Sequence, residues 1–196
     1  MFYWLFYVLF WVIFKTAFRL KVEGRENIPK KTNFIVASNH ASFLDPLIIG
    51  VAIPKKIYWI AFRHLYNQIF LRWFMSLAKS LPTGKVSEKA ALLLMQNKNV
   101  GIFPEGQRSH DGKLQEFKRG AALLAVKTAR PVLPCAVIGA YQALPRGARF
   151  PRLCPIKIKI GKPINILKEY TPVIDDVRLQ EGVLKVRNAI KEMLGA

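Results

Sequence analysis

At 196 residues the chain has the length of a single domain with room for a real core. Its 31 lysines and arginines against 12 acidic residues leave a formal charge of +19, while 52% of its residues are hydrophobic. High charge with few apolar residues would mean disorder, and charge alone would mean nucleic acid; both extremes together fit a folded domain on an anionic membrane, with no nucleic-acid partner. Cys135 and Cys154 have no paired spacing and the three histidines form no ligand cluster, so reduced cysteines, no metal and no cofactor are expected.

The first fourteen residues are all apolar and eight of them are aromatic, Phe2, Trp4, Phe6, Phe10 and Trp11 included; Lys15, Arg19 and Lys21 follow at once. A bilayer-spanning helix needs about 20 apolar residues, so this run is short, whereas tryptophan and tyrosine with a basic flank suit a helix in the headgroup layer. No basic stretch precedes it and no small-residue cleavage site follows it, unlike a cleaved secretory signal. The reading is an interfacial anchor over residues 1–19 on the cytoplasmic face of the cell membrane, monotopic, or single-span if the helix continues to Leu20 with a steep tilt. A core helix with an aromatic face is the plainer alternative.

Residues 20–24 read as a short strand, 27–31 as a loop and 33–37 as a buried strand. Pro46 fits the first position of a helix over 46–53, with Asp45 as its N-cap and Pro54 as its stop. Residues 55–61 read as strand, and 62–81 as a helical stretch rich in aromatic and basic residues. Ser87 caps a helix to about residue 97; 100–103 is strand, 117–128 helix, 132–138 buried strand, 156–160 strand, and 175–194 an amphipathic helix with Val183, Val186, Ile190 and Leu194 among its apolar positions. Strand and helix in alternation predict an α/β fold, a largely parallel or mixed central sheet flanked by helices, with ligands at the loops after the strands.

Two such loops are rich in chemistry. Ser38-Asn39-His40-Ala41-Ser42-Phe43-Leu44-Asp45-Pro46 follows the strand at 33–37 and holds an imidazole and a carboxylate five residues apart. That offset does not bring two side chains together inside one helix, so His40 belongs to the preceding loop, which can fold back and bring its ring to Asp45. A carboxylate that accepts the hydrogen bond of one ring nitrogen makes the other a useful base. The bland reading makes Asp45 a cap and His40 a satisfied loop residue. Pro104-Glu105-Gly106-Gln107-Arg108-Ser109 ends the strand at 100–103: Arg108 can grip a phosphate with two parallel bonds, Gly106 permits close approach of the backbone, and Glu105 can orient the arginine or accept a ligand hydroxyl. Alone, it is a charged turn.

Taken together, Asn39-His40-Ala41-Ser42-Phe43-Leu44-Asp45, Phe103-Pro104-Glu105-Gly106-Gln107-Arg108-Ser109, Phe117-Lys118-Arg119-Gly120 and Pro131-Val132-Leu133-Pro134 resemble the glycerolipid acyltransferase family, nearest its bacterial 1-acylglycerol-3-phosphate acyltransferases. The resemblance covers roughly residues 20–165 and implies an acyltransferase domain over 20–196. By that resemblance His40 is the general base and Asp45 orients it, Asn39 and Ser42 belong to the same motif, and Glu105, Gly106 and Arg108, with Lys85 from a further block, bind the acceptor's phosphate. Gln107 stands where the family commonly has threonine. Its second block usually ends in a Pro-Val-Asp-Arg-like tetrad; here Pro82-Thr83-Gly84-Lys85 keeps the charge in Lys85 but loses the planar fork.

The implied reaction is direct acyl transfer from acyl carrier protein or acyl-coenzyme A to the sn-2 hydroxyl of lysophosphatidic acid, giving phosphatidic acid among membrane lipids. No enzyme nucleophile is needed; Ser42 is read as structural or substrate-contacting. Backbone N–H groups near the helix start are candidates for holding the oxyanion. One rival keeps the base but takes another lysophospholipid or a hydroxylated lipid as acceptor. Another is a non-catalytic basic module that binds membrane or nucleic acid.

Overall fold

A computed structural model describes residues 2–61, 81–82, 86–167 and 176–195, with the side chains of 2–6, 61, 81–82 and 86–87 outside the description. Seven strands among these form one sheet in the order β1-β7-β6-β2-β5-β3-β4. They are β1 (Lys21–Glu23), β2 (Ile35–Ser38), β3 (Ile57–Ala61), β4 (Leu81–Pro82), β5 (Asn99–Ile102), β6 (Val132–Ile138) and β7 (Lys157–Ile160). From β6 to β4 every neighbouring pair is parallel. β7 runs antiparallel to β6, and β1 runs parallel to β7, so the sheet is mixed.

β2 and β6 read as unbroken apolar runs because both of their faces are covered. Phe34 and Val36, with Leu133, Cys135 and Val137, point to one layer, made by α1 (Phe2–Thr16) and α2 (Asp45–Ala52). Ile35 and Ala37, with Val132 and Ala136, point to the other, made by α3 (Val86–Met95), α4 (Gly120–Thr128) and α6 (Asp176–Leu194). A short helix, α5 (Ala140–Ala143), follows β6. Val183, Val186 and Ile190 of α6 are buried and Leu194 is partly so, as its periodicity predicts. Both cysteines are free thiols; Cys135 is buried, which pushes its pKa up.

Several local expectations need correction: Ser87, expected as a cap, is the second residue of α3, and the helix expected from 117 begins at Gly120. Asp45 is the first residue of α2, and the capping position is Leu44, with no side-chain cap. Leu81, expected at the end of a helix, begins β4, while the rest of that predicted helix, residues 62–80, lies outside the described residues. The aromatic N-terminal helix is also built into the fold at its base: Phe14 is 1% exposed and Phe18 is buried beside it, their rings 5.3 Å apart. Burying one such phenylalanine contributes about 2–3 kcal/mol. The Tyr7 hydroxyl donates to the Val51 carbonyl of α2, and Phe10 packs partly buried against the same core. Trp11, Lys15 and Arg19 are exposed. Among the described residues, no helix is long and apolar enough to cross a membrane.

Candidate active site

The loops after β2 and β5 emerge side by side, because these strands are paired and parallel. Within the first loop, Asp45 Oδ2 accepts from the backbone N–H groups of Ala41 at 2.8 Å and Ser42 at 2.7 Å, and lies 2.9 Å from His40 Nδ1. The carboxylate thus closes the loop that precedes its helix, in place of capping it. It is wholly buried, and His40 retains 18% side-chain exposure. The Ser42 hydroxyl donates to Leu144 O and accepts from Leu44 N–H, which gives it a structural place and no freedom as a nucleophile. Asn39 exchanges two hydrogen bonds with the Val137 backbone, tying the loop to β6. Of the N–H groups near the helix start, those of Ala41, Ser42, Leu44 and Asp45 all have partners within the motif.

Glu105 joins the two loops. Its Oε1 accepts from His40 N–H at 2.7 Å and its Oε2 from Gln115 N–H at 3.1 Å, so the carboxylate braces the backbone of His40 and forms no hydrogen bond or ion pair with Arg108 among the described residues. Ser109 N–H returns to His40 O at 2.7 Å. Burial raises the Glu105 pKa to about 7, with Asp45 and Asp111 adding to the rise and the two backbone donors opposing it. Gly106 has φ +75, and a Cβ there would come 2.8 Å from Lys118 Nζ, so glycine serves both the left-handed turn and the passage of that lysine.

Arg108 lies over the Phe43 ring, its guanidinium carbon 3.5 Å from the centroid. Partial burial and the nearby Arg146 lower its pKa, and Asp45 acts the other way. Arg146 itself donates to His110 Nε2 at 2.6 Å. The His40 ring stacks on Phe103, centroids 3.9 Å apart at 15°, and Phe103 stacks on Trp59 at 4.8 Å and 10°. The imidazole is therefore held in plane by Asp45, on one face by Phe103 and through its backbone by Glu105. Phe103, Trp59 and the Phe43 face were not singled out from the sequence; an aromatic at the end of β5, directly before Pro104, was the available signal. Lys85 lies outside the described residues.

A ring proton placed on Nδ1 points at Asp45 and leaves Nε2 with a lone pair that can take a proton. The Arg108 guanidinium, over the ring of Phe43 in the same loop as His40, can hold an anion. An imidazole paired with a buried carboxylate and a guanidinium over an aromatic ring thus lie at the carboxyl ends of parallel strands, where ligands of such sheets bind. The sequence profile of the acyltransferase family matches residues 19–138, and the chain belongs to that family.

It is 31% identical over 177 residues to the 1-acyl-sn-glycerol-3-phosphate acyltransferase of Limnanthes douglasii, covering 81% of this chain and 61% of that protein. Against the Bacillus subtilis protein of the same name it is 29% identical over 153 residues, covering 74% of each. The crystal structure of the 1-acyl-sn-glycerophosphate acyltransferase of Thermotoga maritima superposes with a TM-score of 0.75 at 28% identity, covering 95% of this chain and 79% of that one. The chain spans less than two thirds of several of these relatives, 44% of the chloroplastic Arabidopsis thaliana protein for example.

Proposed function

We propose that this chain transfers an acyl group from an acyl thioester, carried by acyl carrier protein or coenzyme A, to the sn-2 hydroxyl of 1-acylglycerol 3-phosphate. The observation that carries the reading is the contact of 2.9 Å between His40 Nδ1 and the buried Asp45, joined through Glu105 to the loop that bears Arg108. His40 Nε2 takes the hydroxyl proton as the oxygen attacks the thioester carbonyl; the tetrahedral intermediate collapses, the C–S bond breaks and the thiolate leaves with the proton returned from the imidazolium. Arg108 holds the acceptor's phosphate beside the base. Residues 1–19 supply the interfacial element and 20–196 the catalytic domain, with α1 lying in the cytoplasmic face of the membrane. Relatives that carry the acyltransferase name support the reaction class.

The test is purified protein with labelled 1-acylglycerol 3-phosphate and each donor in turn, alongside acceptors that lack the phosphomonoester. Phosphatidic acid should form with the wild type, and His40→Ala should lower the rate about 100- to 10,000-fold, the range of a lost general base. A wild-type rate in His40→Ala rejects the mechanism. Turnover only with acceptors lacking the phosphomonoester moves the chain to another lipid acceptor, the alternative that the Pro82-Thr83-Gly84-Lys85 block motivates.

A further inference from the structure

Residues 144–155 connect α5 to β7 and carry the two most exposed large apolar side chains among those described, Phe150 at 81% and Leu153 at 70%. Such exposure in a loose segment would mean little, but this segment is tied to the fold on both sides of Phe150, at Leu144 and at Arg152. Ala148 N–H turns back to Pro145 O, Arg152 N–H donates to Ala143 O at 2.7 Å, and Cys154 packs against the core. Gly139 passes so close to the Pro155 carbonyl that a Cβ would meet it at 2.3 Å. The fold thus holds the backbone in place and still leaves a phenylalanine and a leucine in solvent, where each costs hydrophobic free energy.

The same segment carries Arg146, Arg149 and Arg152, all exposed, and no acidic residue occurs between Glu116 and Glu169. Its two ends connect to the parts of the molecule that an interfacial enzyme must bring together. Leu144 O accepts the Ser42 hydroxyl of the His40 loop, and Ile156 N–H donates to Phe18 O at the foot of α1. Apolar tips between guanidinium groups match the acyl boundary and the phosphates of an anionic bilayer, in which the rings enter and the cations stay with the headgroups.

We propose that the 144–155 loop is a second bilayer contact, with Phe150 and Leu153 entering the headgroup layer of an anionic phospholipid membrane and the three arginines meeting its phosphates. The assignment rests on the interfacial reading of this chain, and it puts a second contact on the segment that runs from the His40 loop to the foot of α1.

The experiment is partition of full-length protein between buffer and vesicles of phosphatidylglycerol with phosphatidylcholine, or of phosphatidylcholine alone. Phe150→Ser with Leu153→Ser should weaken partition to both vesicles about tenfold. Arg149→Gln with Arg152→Gln should weaken it about fivefold per arginine on the anionic vesicles and hardly at all on the neutral ones. Turnover of a dispersed short-chain acceptor should be unchanged in both, since none of these four side chains belongs to the catalytic machinery. Partition within twofold of wild type in both double variants overturns the contact, and if substitutions on α1 do release the protein, the interfacial reading survives without it. Loss of turnover confined to acyl carrier protein as donor, with vesicle binding intact, also overturns it and makes the arginines a docking surface for an acidic protein. Should the wild type transfer no acyl group while the loop variants still lose partition, the contact stands and the proposed reaction falls.

Discussion

Arg108 lies over Phe43, and a planar guanidinium can offer two parallel donors to a phosphate where a lysine cannot. Arg108→Lys keeps the charge and loses the parallel pair, so the acceptor's KM should rise about tenfold or more, given about 1.5–3 kcal/mol for a charged hydrogen bond, with the donor's KM nearly unchanged. A rise confined to the donor's KM would assign the loop to coenzyme A or the carrier protein. Glu105 makes a separate prediction, in pH. Burial lifts its pKa from 4.5 to about 7, so the folded state holds the proton more tightly than the unfolded chain does. Its contribution to stability is greatest at low pH and declines as pH rises from about 4.5 to about 7. The stability of wild type relative to Glu105→Gln, from urea unfolding at several pH values, should fall across that window by at most roughly 3 kcal/mol. A difference that is flat in pH would mean that Glu105 stays ionised throughout. At this scale the His40 and Asp45 pairing was legible as a possibility, because the spacing and Pro46 put His40 in a loop that can fold back onto Asp45. The partner of Glu105 was not, because backbone N–H groups leave no trace in residue identity.

β5 owes its tolerance of a large neighbour to one glycine. Gly101 pairs with Trp59 across the ladder, and a Cβ at Gly101 would lie 2.6 Å from the indole. That indole supports Phe103, which supports the His40 ring. Gly101→Ala should therefore cost about 1–3 kcal/mol by overpacking and also lower kcat, by tilting a stack that ends on the base. Adding Trp59→Leu should recover stability but not kcat, since it removes the clash together with the support. Wild-type kcat in Gly101→Ala would show that the stack does not position His40. Long apolar runs were the easiest elements to read: β6 occupies 132–138 as its apolar run predicts, despite Pro134. The start of α2 was harder, since Asp before Pro is the common pattern of a cap, while here three donors from the preceding loop draw the carboxylate the other way. A two-residue strand such as β4 is too short to have a period at all.

For the molecule as a whole, a charge of +19 and an apolar helix offer two routes to a membrane, and they respond differently to salt. α1 turns Val8, Leu9, Trp11, Val12 and Ile13 to solvent while its base is locked into the core by Phe14. Deleting residues 1–19 would remove Phe14 and Phe18 from that core, so loss of binding after truncation would mix unfolding with release. Point substitutions on the exposed face separate the two. Leu9→Ser with Val12→Ser should leave thermal unfolding within about 0.5 kcal/mol of wild type, as for surface positions generally. At low salt it should also bind anionic vesicles well, because the remaining cations suffice. At roughly 1 M salt the screening length shrinks to about 3 Å and only apolar insertion persists. There the wild type should remain bound and the double variant should partition about tenfold less. If roughly 1 M salt instead strips both proteins from the vesicles equally, the attachment is electrostatic alone, and α1 is a core helix whose exposed apolar face plays no part in holding the bilayer.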